Sequence, residues 1–448
     1  MKTKSIIAGM LSTMLLAVGC NKEDGGNRVT PEAGVKTYAS FSVSLLNQST
    51  RAASNDPNAV TEETKISDLY IYIFNGGVLE TKGQITLNKD NKGITALATT
   101  TGTKTIYAVP NYEAIGAIGS LQSDFEKQLI DATDIAEENG FFMAGKTEAT
   151  LTKRTEDEAK QEVNLIQISV ARGAAKVQMQ FGTNVPVKPV VNATVTNARF
   201  TLAQQNTKMF LAKYTYGYMG DVGQTDTDNN GTYDHLTKLP TTDDELKWIN
   251  AVTTYDNAFN NSKYLAENVN QTPTTGNTSY VLVELTVKPT QTSDASGNFS
   301  SSNLGENADF WVIVKHDAAS GDIIFAAKED AQNVNKILYF AAESDANTYL
   351  TTNTANLTNY KVVKYEKGKS YYRLNIRDIR ENNLTKKYAV NRNHYYKVNI
   401  TEISNLGFNA AAGTIPTNPT TPLETQTYIS ADITIEAWTV VDMNEPLG

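Results

Sequence analysis

Short runs in which apolar and polar residues alternate recur along this chain, and a period of two admits strands and little else. Residues 38–45 set the pattern. Ala39, Phe41, Val43 and Leu45 point one way, and Tyr38, Ser40, Ser42 and Ser44 point the other. The same spacing returns at 175–181 and at 279–288, where Val281, Val283, Leu285 and Val287 share a face. Further strands are expected at 66–74, 84–87, 94–98, 104–109, 162–170, 191–202, 310–315, 322–326, 371–376 and 395–403. Helix is scarce: the best candidate is 121–138, where Leu121, Phe125, Leu129 and Ile135 follow a rough helical stripe before Asn139-Gly140. The 22 tyrosines, and the Thr and Asn between apolar residues, suit strands and loops. The fold class expected is all-β, mainly strand with minor helix, in β-sandwiches. Ala171-Arg172-Gly173 marks a domain boundary, and 204–278 reads as a long polar insertion.

The two ends carry the most specific signals. Lys2 and Lys4 precede an apolar run, 6–18, too short for a mature membrane span, and the run closes on LAVGC. Small residues before a cysteine form a lipobox, and Cys20 is the only cysteine in 448 residues. A lone thiol makes no internal disulfide but is what diacylglycerol transfer requires. Residues 1–20 are therefore expected to be a lipoprotein signal, followed by a polar tether, NKEDGGN. At the other end, 410–426 holds Pro416, Pro419 and Pro422, a linker of about 17 residues able to reach on the order of 55 Å. Beyond it comes one more amphipathic strand, with Ile429, Ala431, Ile433, Ile435 and Ala437 on one face. A strand beyond a linker has no evident partner in its own domain, and its edges and apolar face require it to fold back or pair elsewhere.

Chemical motifs are few. HExxH, Walker, GxGxxG, CxxC and GxSxG patterns are absent from the sequence, so no enzyme and no cofactor are expected. A net charge of -9 argues against nucleic acid as partner. His394 falls within a strand and reads as structural. Asp226, Asp228, Asn230 and Asp234, with Gly231, follow the spacing of a calcium loop. Thr237 stands where the bidentate Glu belongs, and an exposed Asp/Asn/Gly loop explains the same residues.

The lipobox, Thr50-Arg51-Ala52 behind the first strand, SVARGAAKV at the boundary, YVLVELTVKP, GKSYYRLNI, NRNHYYKVNITEISNLGFN and a last strand holding EAW occur in this order. Together they resemble the fimbrillin family of the Bacteroidales, the type V pilins, and most closely the Mfa-type stalk subunits. The resemblance implies two tandem transthyretin-like β-sandwich domains and a C-terminal donor strand. It implies an outer-membrane lipoprotein precursor cut by a trypsin-like, Arg-specific protease between Arg51 and Ala52. Loss of the first strand would open a groove, which the C-terminal strand of a neighbouring copy fills. The resulting organisation is a propeptide at 21–51, sandwiches at 52–171 and 172–409, and linker plus donor at 410–448. The partners implied are the chain itself, the protease, and anchor and tip subunits of a surface fimbrium that supports adhesion and biofilm formation. An accessory or tip adhesin, and a surface glycan-binding lipoprotein, are the competing readings.

Cys20→Ala should leave the chain unlipidated. Radiolabelled palmitate entering that variant at the wild-type level would refute the anchor.

Overall fold

The computed structural model describes residues 34–46; 61–212 apart from 113–118, 133–134 and 138–139; 236–415 apart from 241, 243, 257, 271, 317–322, 328–335, 354–356 and 379; and 420, 423 and 429–437. Cys20, Arg51, Ala52 and the candidate calcium residues Asp226, Asp228, Asn230 and Asp234 lie outside them.

The first half is built on β1 (Lys36–Leu45), β2 (Leu69–Asn75), β3 (Val78–Ile85), β4 (Leu97–Thr100) and β5 (Gly102–Pro110). Short strands β6 (Leu129–Asp131), β7 (Ala136–Glu137) and β8 (Gly140–Phe141) precede β9 (Met143–Leu151) and β10 (Leu165–Arg172). Seven of these form one sheet in the order β3-β2-β5-β9-β10-β1-β4. Its end strands β3 and β4 also touch, so the sheet nearly closes on itself. Inside it lie Ala39, Phe41, Val43, Leu45, Ile71, Ile73, Ile106, Ile168 and Val170, the inward sets that the alternation marks. Helices α1 (Thr61–Thr64), α2 (Gln122–Glu126) and α3 (Glu156–Lys160) decorate the sheet.

Two expectations fail here. The helix over 121–138 is only α2, followed by β6 and β7. Phe125 and Ile130 are buried while Leu121 and Leu129 face solvent, a pattern that a continuous helix cannot satisfy. The stretch 204–278 is not merely a polar insertion, because Met209, Leu211 and Ala266 pack into the first core.

The second half runs from β11 (Ala174–Gln180) and β12 (Ala193–Ala203) through β13 (Lys208–Phe210), β14 (Ile249–Asn250) and β15 (Lys263–Ala266) to the long β16 (Tyr280–Pro289). After it come β17 (Gln291–Ser293), β18 (Phe299–Ser301), β19 (Phe310–His316), β20 (Ile323–Ala327), β21 (Tyr339–Phe340), β22 (Tyr360–Tyr365), β23 (Lys369–Asn375), β24 (His394–Ile403) and β25 (Ile429–Ala437). Sheet β15-β11-β24-β25 faces sheet β14-β12-β16-β23 across a core of Val177, Phe200, Val281, Val283, Tyr396 and Val398. β16 is buried on both faces, since Tyr280 and Leu282 enter a second cluster with Leu246 and Tyr371. β19 pairs with β20, β21 and β22 in a further sheet, against which α4 (Glu343–Thr352) packs; α5 (Leu384–Lys387) precedes β24.

The chain passes from one core to the other within a few residues. Ala174 packs in the first core and Ala175 in the second. At Gly173 a side chain would meet the Phe142 ring at 2.2 Å, so the crossing requires glycine. On either side of it Arg172 and Lys176 are fully buried. The Lys176 ammonium meets the Glu63 carboxylate at 2.9 Å, and both side chains are completely shielded from solvent. Tyr264 donates its hydroxyl to the same carboxylate at 2.6 Å, and Arg172 Nε donates to the Glu63 carbonyl at 2.6 Å. The Lys176 ammonium also lies 4.9 Å from the centre of the Tyr395 ring. Thus α1 is fastened where the two cores meet.

Glu63→Gln leaves a buried ammonium without its counter-charge and should cost about 3–5 kcal/mol. Lys92→Gln removes an exposed pair with Glu162 and should cost no more than about 1 kcal/mol. Urea midpoints of the two variants test the contrast.

Candidate functional site

The first and last strands of the described chain occupy opposite situations. β1 is held on both edges. It runs parallel to β10, from Ser40 opposite Leu165 to Leu45 opposite Val170, and antiparallel to β4, from Lys36 opposite Thr100 to Ala39 opposite Leu97. Beyond β4, the turn at 88–93 takes over that edge: Gly93 N–H donates to the Phe41 carbonyl at 2.7 Å, and Val43 N–H donates to Asn91 at 3.1 Å. Asn88 shapes the turn by accepting from the N–H groups of Asp90 and Lys92 at 2.8 and 3.0 Å.

The inward side chains of β1 are almost sealed. Ala39 and Phe41 are fully buried, and Val43 and Leu45 are each 5 % exposed. Phe41, Val43 and Leu45 each contribute roughly 1.5–3 kcal/mol by burial. Thr37 is equally buried; its hydroxyl donates to the Thr152 carbonyl at 2.7 Å and accepts from Arg154 N–H at 2.8 Å. On the other face Ser40 is only 2 % exposed, and α3 packs against the strand. Thr155 and Glu158 fix the start of α3 with a capping box. Lys36 and Tyr38 share an open recess with Lys153, Arg154, Thr155, Glu156 and Glu158. Were β1 withdrawn, β10 and β4 would each lose a ladder, leaving a strand-shaped slot lined with apolar side chains.

Among the described residues, β25 is held on one edge only. It pairs antiparallel with β24, from His394 opposite Ala437 to Ile403 opposite Ile429, and Ile433 is buried in the second core. The apolar C-terminal strand therefore folds back onto its own chain, one of the two outcomes that its pattern requires. The linker sets how far the strand can travel, whereas the free edge of β24, which pairs on its other side with β11, sets where it rests. His394 is the structural residue expected: burial pulls its imidazole below the usual range, and Nδ1 lies 2.9 Å from the Arg392 carbonyl. Among the described residues, acidic, His and Cys side chains form no group able to hold a metal ion. The Glu63, Arg172 and Lys176 cluster was not read from the sequence. The available signal was two cations set at 172 and 176 inside otherwise apolar alternation.

Residues 37–237 match the family model of the major fimbrial subunit protein FimA, and residues 363–444 match the C-terminal model of the type IV major fimbrial subunit protein, fimbrillin. The chain belongs to the fimbrillin family of major fimbrial subunits. The two matched ranges take in β1 from Thr37 onward and the whole of β25. Among solved structures, this fimbrillin shares its fold with a candidate cell-adhesion protein from Parabacteroides distasonis. The TM-score is 0.51 at 13 % identity, over 91 % of this chain and 100 % of that one. A fimbrilin from Porphyromonas gingivalis aligns with a TM-score of 0.48 at 13 % identity, over 92 % and 99 %. No curated protein sequence matches the chain. The family is one of structural subunits, and this fimbrillin is not an enzyme.

Phe41→Ala should destabilise the full-length chain by about 3–5 kcal/mol, as for other buried aromatic truncations. Ser44→Ala, on the exposed side of the same strand, should leave it within about 0.5 kcal/mol of wild type. Denaturant unfolding of both variants checks the assigned faces.

Proposed function

We propose that this fimbrillin polymerises by strand exchange, with β1 as the segment that leaves and β25 as the segment that replaces it. The observation that carries the reading is the contrast between the two strands: β1 sits between two partners, while β25 lies at a sheet edge. A strand moving from the edge of its own sheet into the slot of a neighbour exchanges one ladder for two and buries its apolar face in a prepared groove. Such a contact is head-to-tail and does not close, so it yields a filament.

In this reading the two cores belong to tandem transthyretin-like sandwiches. Cys20 carries the lipid that holds the precursor on the outer membrane, and an Arg-specific, trypsin-like protease cuts between Arg51 and Ala52. A cut there frees β1 together with the lipid. A cut at Arg28 would free the lipid alone and leave the slot filled. The polymer's other partners are the anchor and tip subunits of the same fimbrium.

Trypsin treatment of the purified precursor should produce filaments visible by electron microscopy. Deleting 427–448 should leave the circular dichroism spectrum native-like, because β24 keeps its ladder to β11. The same deletion should abolish filaments; filaments of normal length from the truncated, protease-treated chain would refute β25 as donor.

A further inference from the structure

Two strands can share a slot in several registers, and the side chains of β1 single out one. We propose that β25 enters the slot parallel to β10 with Ser430 in the place of Ser40, Ile433 in that of Val43 and Ile435 in that of Leu45. The inference rests on the strand-exchange reading above and adds its register and direction.

The position of Ser40 discriminates most sharply. It is 2 % exposed, so it admits a small uncharged residue and excludes a carboxylate. In the proposed register it receives Ser430, an identical side chain. Moving the donor one pleat further places Asp432 there, a buried charge. Moving it one pleat the other way places Tyr428 there, which is too large. Two pleats further places Thr434 at Ser40 but brings polar Thr439 to the site of Leu45, which is 5 % exposed. A shift by a single residue turns every isoleucine to the wrong face.

The remaining positions agree. Asp432 falls at Ser42, which is half-buried rather than sealed, so a carboxylate there keeps access to water. Thr434 falls at exposed Ser44. Ile429 and Ala431 take the places of Ala39 and Phe41, so an apolar side chain stands at each inward position. In sequence the donor is also preceded by Thr427-Tyr428, as Ser40 is preceded by Thr37-Tyr38-Ala39. A threonine in the place of Thr37 keeps the bonds to the Thr152 carbonyl and the Arg154 amide.

Cysteine pairs test the register. Ser44 lies opposite Ser169 and Ser42 opposite Gln167 on β10, and both β10 residues are exposed, so cysteines there leave the core intact. Neighbouring strands are close enough for a disulfide. In a Cys20→Ala background, protease-treated chains are assembled, inspected by electron microscopy, oxidised and run on a non-reducing denaturing gel. Thr434→Cys with Ser169→Cys, and Asp432→Cys with Gln167→Cys, should give covalent ladders. Thr434→Cys with Gln167→Cys should give at least tenfold less. A ladder from that last pair in place of the first overturns the register while leaving exchange standing. Filaments that yield no ladder from any of the three pairs overturn the proposed register and direction, whereas filaments that still form after deletion of 427–448 overturn the exchange reading itself.

Discussion

The main-chain ladders carried by β10 and β11 bind the ends of the chain to its middle. These two strands are nearly continuous across Gly173. β10 takes β1 as a parallel neighbour, and β11 takes β24, which in turn carries β25. Parallel pairing cannot come from a tight turn, so each ladder closes a long stretch of chain and costs loop entropy. Burial of the inward residues on both sides of the crossing offsets that cost.

Several of the charges buried in this framework are paired with an opposite charge. Lys104, fully shielded within β5, meets Glu80 at 2.6 Å. Burial alone would raise the Glu80 carboxyl, but hydrogen bonds from Lys104, Thr99 and Thr100 hold it below the usual carboxylate range. Arg199 forks onto Glu284, and Arg392 pairs with Glu267 while donating to the Phe210 carbonyl at 2.8 Å. Each pair is costly to break singly, because the survivor stays buried. At the crossing this logic fixes α1, which follows the stretch holding Arg51. Glu63 ties that segment to Lys176, so the described chain beyond the proposed cut is anchored independently of β1.

The same accounting separates the two strands relevant to assembly. β1 satisfies its backbone on two sides and seals four apolar side chains; β25 satisfies one side. Under the proposed exchange, a subunit with β1 in place would offer no slot to its own kind. A vacated slot would give β25 two ladders in place of one, and that difference would set the direction of assembly.

Much of this was legible in the residues themselves. Alternation at 38–45 identified a strand and its inward face, because a period of two fixes which side chains share a face; at 279–288 it identified the strand but not that its second face is also buried. The scarcity of helix followed from the same spacing. Partners were not legible. That β1 runs parallel to β10, that Ile130 rather than Leu129 turns inward, and that β25 rests on β24 are matters of which distant segments meet. Nothing local marks Glu63 as the counter-charge of Lys176, which lies in a strand far along the chain. Most strands and their apolar faces could be read locally, since alternation depends on neighbours a residue or two away, although β9 and β22 escaped that reading. Which edges are closed and which remain open is a matter of long-range pairing, because backbone hydrogen bonds between strands carry no side-chain code.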